Sequence, residues 1–169
     1  MSQQLVIDNI QFASQGSLLE GDLNLLGSSR LADALAGADS PVHYIVRGHS
    51  GDRGELLIDL AISGTVALCC QRCLQPFDFD LDVDATFELR ESLNDDVLMQ
   101  EDLEDDSRDY LSVSRSMDLV SLIEDEVLLA LPPVPKHESC VPPDMRHDPE
   151  AASPFGVLLH LKGQSGKTH

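Results

Sequence analysis

The sequence predicts an α+β fold: an antiparallel β-sheet with a long hairpin, covered by one main helix and a short N-terminal helix. Three observations carry this expectation. From Leu56 to Cys70 every even position is apolar or glycine, while the odd positions are mixed and include Asp59, Ser63 and Thr65. From Phe77 to Leu89 the phase is reset, with every odd position apolar and the even ones Asp78, Asp80, Asp82, Asp84, Thr86 and Glu88. Period-2 alternation of this length marks half-buried strands, and antiparallel pairing leaves one face wet. The third observation is an apolar stripe at helical spacing over 116–133.

In chain order, residues 1–27 hold the apolar run Leu5-Val6-Ile7 and a weaker one at Leu23 and Leu25, punctuated by Gly16, Gly21 and Gly27. Short strands are expected there. The short helix is expected in "SSRLADALAG". Ser28 or Ser29 caps it, Leu31 and Leu35 share a face, and Gly37 ends it. Residues 41–48 read as a strand with Val42, Tyr44 and Val46 on one side, and "HSGDRG" reads as a turn. Between the two long strands lies "QRCLQP", which places the cysteine-rich stretch "CCQRCLQPF" at a hairpin tip. Residues 91–109 are acidic, with Asp95, Asp96, Glu101, Asp102, Glu104, Asp105 and Asp106 crowded together without periodicity, and read as a mobile, solvated loop. The main helix has Ser116 as a candidate cap, a stripe of Met117, Val120, Ile123, Val127 and Leu131, and Pro132 and Pro133 as its stop. A proline-rich irregular segment follows, then the apolar "PFGVLLHLK". Residues 1–162 form one domain in this reading, and 163–169 a disordered tail.

Composition narrows the function. A chain of 169 residues buries roughly 70% of its unfolded surface, so no disulfide is needed to hold the core. The net charge of −19 opposes phosphate backbones, which disfavours direct RNA contact and favours a basic protein partner or simple solubility. There is no basic stretch ahead of an apolar one at the N-terminus and no membrane-length apolar run. A cytoplasmic location with reduced thiols is expected. No P-loop, GxGxxG, HExxH or GxSxG is present.

Two groups of residues can carry chemistry. Cys70 and Cys73 have the spacing of a zinc knuckle, and His137 and Cys140 repeat that spacing downstream, with His147 in reserve. Thiolate and imidazole suit zinc, which is the expected metal. The same cysteines also suit an unligated turn, and a redox or catalytic thiol is a further alternative. Cys69 faces away from Cys70 and stands outside the set. The row Asp78, Asp80, Asp82, Asp84 and Glu88 shares one strand face, with neighbours about 6.6–7 Å apart. It suits the solvated side of a strand, a docking surface for a basic protein, or the acids of a small metal-dependent hydrolase or nuclease.

"CQRCLQPF", "DLVSLIEDEVLLALPPVPKHESC", "PFGVLLHLK" and the earlier "LNLLGSSRLADALA" resemble the YceD family of large ribosomal RNA subunit accumulation proteins, from roughly residue 18 to 162. The resemblance implies a ribosome-biogenesis factor and does not imply a catalytic residue. Its partner would be a basic protein such as a ribosomal protein or an RNA-processing nuclease. Many members carry several cysteines after the helix. Here that region keeps only Cys140, so His137 and His147 would have to substitute for the missing thiols.

Overall fold

A computed structural model describes residues 5–37, 39–91 and 108–140. The elements run β1 (Val6–Ile7), α1 (Asn9–Ser14), β2 (Leu18–Asn24), a 3-10 turn (Leu25–Gly27), β3 (Pro41–Ser50), β4 (Leu56–Cys69), β5 (Pro76–Arg90), β6 (Asp109–Ser112), β7 (Met117–Asp118) and α2 (Leu119–Ala130). The fold is the expected α+β arrangement. The main sheet has the order β2-β3-β4-β5-β6, and β1 pairs separately with β7.

The hairpin β4–β5 forms the middle of that sheet and follows the alternation of its sequence. Ile58, Leu60, Ile62, Val66, Leu68, Leu81 and Phe87 are buried on one face, whereas Ser63, Thr65, Asp78, Asp80, Asp82 and Asp84 are exposed on the other. Val42, Tyr44 and Val46 of β3 join the buried face. The pairing is antiparallel from β2 to β5. β6 departs from the expected antiparallel scheme by lying parallel to β5, over Phe87–Arg90 only. A parallel neighbour needs a long crossover. The chain between them is the acidic stretch, of which 92–107 lies outside the described residues.

The short helix sits earlier than expected, at Asn9–Ser14, in a region whose sequence suggested strands. Six residues are too few to show a helical period. Asp8 caps it, accepting from the Gln11 N–H at 3.0 Å. The expected helix around 28–37 is instead a set of turns. Ser28 does accept from the Leu31 N–H, at 3.3 Å, and Leu31 and Leu35 are buried. Leu35 then bridges Leu68, and the Ala36 N–H donates to Ala67 at 2.8 Å. Pairing along the far end of β4, beyond the reach of β3, wins over helix propagation there.

The main helix begins two residues later than the Ser116 cap implies. Asp118 is the cap, accepting from Val120 and Ser121, because Met117 and Asp118 pair with Ile7 and Val6. Leu119, Leu122, Ile123 and Val127 are buried against the sheet. Twelve residues alone form a marginal helix in water. Burial of each of these side chains contributes about 1.5–3 kcal/mol, so packing holds the helix. Asn9 locks the junction: its amide donates to Ser112 O at 3.0 Å and its carbonyl accepts from Ser114 N at 2.8 Å.

Helix α1 crosses β3 at Gly48, where a Cβ would lie 2.5 Å from Phe12 O and 2.6 Å from Ala13 Cα. Both are backbone atoms and cannot swing aside. Gly48→Ala is therefore expected to destabilise by about 1–3 kcal/mol in urea unfolding. Gly27→Ala, which meets nothing within 4 Å, should stay within about 0.5 kcal/mol.

Candidate metal centre and acidic strand face

The hairpin tip is a tight, hydrogen-bonded turn. The Cys70 N–H donates to Gln75 O at 3.0 Å and the Leu74 N–H to Cys70 O at 2.8 Å. Leu74 adopts φ 61°, the left-handed region that closes such a turn and that glycine fills without strain. The tip also receives the segment after α2, because the Gln71 N–H donates to Pro135 O at 2.9 Å. That bond delivers His137 and Cys140 to the two tip cysteines.

The ligand atoms of Cys70, Cys73, His137 and Cys140 all lie within 4.8 Å of one another. Cys70 Sγ is 3.7 Å from Cys140 Sγ, and Cys73 Sγ is 3.4 Å from His137 Nδ1. Zinc bonds of about 2.3 Å to sulfur and 2.0–2.1 Å to nitrogen at tetrahedral angles would set about 3.8 Å and 3.6 Å for those separations. Three sulfurs and one imidazole, with no oxygen donor, can hold a soft or borderline ion and do not suit magnesium or calcium. His147 lies outside the described residues. Cys69 is exposed and apart from the cluster, as its strand parity requires, and none of the four cysteines is in a disulfide.

The surroundings favour ligand character. Burial pushes the Cys70 thiol up. The backbone N–H groups of Cys73, His137 and Arg72 outweigh that and bring it down to about 5. Cys73 goes the other way. A backbone N–H from Gln75 lowers it, but burial and the neighbouring Cys70 and Cys140 sulfurs raise it above its ordinary value. Arg72 donates through Nε to Cys140 Sγ at 3.0 Å and through an NH2 group to His137 O at 3.3 Å. Its place beside Cys73 marks Arg72 in the sequence, but the bonds it makes go to Cys140 and His137. The Phe77 ring packs on His137, centroid to centroid 4.9 Å, and so orients the imidazole.

The carboxylate row resolves into two parts. Asp78, Asp80, Asp82 and Asp84 project from the exposed face of β5, opposite Ala67, Thr65, Ser63 and Ala61. Asp80 accepts from Thr65 Oγ1 at 3.2 Å, and none of the four pairs with a cation among the described residues. Glu88 differs. It is half-buried, takes an Arg90 N–H at 3.0 Å, and lies 3.9 Å from Arg108, which reaches Glu55 at 3.3 Å. Its charge is balanced within the protein.

A cleft of about 590 Å³ that sequence reasoning missed collects Arg47, Asp59, Asp84, Thr86, Asp109 and Glu126 from four strands and α2. Burial, and then the charge of Asp109, raises the Glu126 carboxyl. Thr86 donates to Asp59 at 2.9 Å, and His49 Nδ1 lies 3.3 Å from the same carboxylate without hydrogen-bond alignment. A nucleophilic hydroxyl must bond to the imidazole rather than to the acid, so this is not a triad arrangement.

A family model described as large ribosomal RNA subunit accumulation protein YceD matches residues 58–158, more than half of the 169-residue chain. The match spans the hairpin, the helix and the metal-centre loop. The likeness noted around Leu23–Ala36 lies outside it. No solved structure matches the chain.

Leu74→Gly tests the tip. It removes a left-handed strain of about 1–2 kcal/mol and adds about 0.5–1 kcal/mol of unfolded-state freedom. A net gain of up to about 1 kcal/mol is expected in the urea midpoint, whereas Leu74→Val should lower it.

Proposed function

The chain belongs to the YceD family, and from that premise we propose that it is a non-enzymatic, cytoplasmic ribosome-biogenesis factor. It supports accumulation of large-subunit ribosomal RNA by engaging a basic protein, such as a ribosomal protein or an RNA-processing nuclease. The family name connects the chain with that RNA. The observation behind the protein partner is the row Asp78, Asp80, Asp82 and Asp84, four carboxylates on one exposed strand face, none of them in an ion pair among the described residues. On a chain of net charge −19 such a surface repels phosphate and attracts lysine and arginine. In this reading Cys70, Cys73, His137 and Cys140 hold a structural zinc ion, which supplies no chemistry beyond pinning the proline-rich segment to the hairpin tip. Arg72 offsets the negative charge that three thiolates leave on a divalent ion.

Two measurements test this. Depleting the protein in its host should lower large-subunit relative to small-subunit ribosomal RNA. A variant with all four aspartates changed to Asn should fold normally and fail to restore the balance. Affinity purification that yields naked ribosomal RNA and no basic protein would overturn the partner reading.

Elemental analysis of the reduced, untagged protein should find zinc, and Cys140→Ser should lose it. Because Cys73 holds its proton above the ordinary thiol range, metal binding at neutral pH must displace that proton. Apparent zinc affinity should therefore rise with pH through the neutral range, and metal uptake should release protons into a weak buffer. Metal-free fresh protein sinks the zinc reading and leaves the acidic surface untouched.

A further inference from the structure

The register of the hairpin says which way each backbone group of β5 points. Cys70 N–H bonds to Gln75 O, which makes 70 and 75 a hydrogen-bonded pair. The pairing continues unbroken from Cys69↔Pro76 to Leu57↔Glu88. Hydrogen-bonded and non-bonded pairs alternate along an antiparallel ladder. The odd residues of β5 therefore spend their N–H and C=O groups on β4, and the even residues point theirs outward. A second bond confirms the parity: the C=O of Arg90, an even residue, accepts from Val113 at 3.0 Å, on the side away from β4. Beyond Phe87–Arg90, where β6 pairs, no described strand lies against this edge of β5.

Asp78, Asp80, Asp82 and Asp84 thus present two things at once, exposed carboxylates and an open row of backbone donors and acceptors. Pro76, which has no N–H, stands where that row begins, a position an edge strand tolerates. The alternate residues Phe77, Phe79 and Val83 are half-buried and line the other face at the rim. We propose that this edge captures an extended segment of a basic protein by strand addition, with lysine or arginine on every second residue and apolar residues between. This rests on the basic-partner reading above and gives it a geometry.

Charge selects the occupant. A second copy added antiparallel would set its own aspartates opposite these, and like charges directly opposed destabilise a pair. A basic strand paired antiparallel sets the Cα of each lysine or arginine about 5.5 Å from an aspartate Cα, with both side chains on the same face. Its main-chain bonds supply affinity and its alternation supplies selectivity.

The test uses the full chain and short synthetic peptides of identical composition. In one, lysine and valine alternate; in the other, the lysines and valines are in separate blocks. Fluorescence anisotropy should show the alternating peptide binding about tenfold or more tighter. N-methylation of one alternate set of its amides should abolish binding, and methylation of the other set should have little effect. The Asp80→Asn, Asp82→Asn double variant should bind about tenfold weaker and lose part of its salt dependence. Equal binding of both peptides, or indifference to which amides are methylated, overturns strand addition while leaving a merely electrostatic basic partner standing. No binding of either peptide overturns strand addition together with the acidic docking surface.

Discussion

One register organises this protein. The thirteen consecutive pairs between β4 and β5 fix which side chains of both strands enter the core. A slip of β5 by one residue against β4 would turn Leu81 and Phe87 to solvent and four aspartates inward. Burying unpaired carboxylates is far costlier than any local hydrogen bond can offset. The same register places Cys70 on the buried side of the tip and Cys69 on the exposed side, and it points the amides of the aspartates outward. Core, metal centre and edge all follow from one choice of pairing.

The tip needs support that the sheet does not give it. β3 covers β4 only as far as Gly64, and β6 covers β5 only from Phe87. The remaining half of the hairpin is two strands wide, and an isolated hairpin is marginal in water. Three contacts make up the deficit. Leu35 and Ala36 pair with Leu68 and Ala67, Phe77 packs on His137, and the segment after α2 bonds to Gln71. An ion shared by Cys70, Cys73, His137 and Cys140 would add covalent-strength closure at the place with the least sheet behind it.

What could be read from the sequence divides along physical lines. The hairpin was legible because fifteen-residue alternation survives any tertiary context. Cys70, Cys73, His137 and Cys140 were legible because two half-sites of matching spacing flank a hairpin and a helix that must pack together. The helix at Asn9–Ser14 was hidden because its evidence is one capping aspartate and a tertiary contact at Gly48. The turns at 28–36 carry a helix-like pattern, yet the unpaired end of β4 competes for their backbone. Parallel β6 and the brace from Arg72 depend on chain crossings that no local pattern encodes. Glu88 looked like the fifth member of a row. Arg90, two residues on along the same strand, is its local partner, and the fold adds Arg108.

The candidate metal centre and the acidic edge adjoin along the chain, since the turn that carries Cys70 and Cys73 leads into β5. Pro76 follows the metal turn directly, and the free edge starts with it. An edge that accepts a partner strand must itself be held straight, because a frayed template imposes on the incoming segment the entropy of ordering both chains. Asp78 and Asp80 lie within one turn-length of the tip, where only β4 flanks the strand. The described contacts at that end are those of Cys73 and Phe77 with His137 rather than further ladder. A metal ion held at the tip, as proposed, would preorganise the half of β5 that has β4 as its one described neighbour, and so would serve an acidic docking edge.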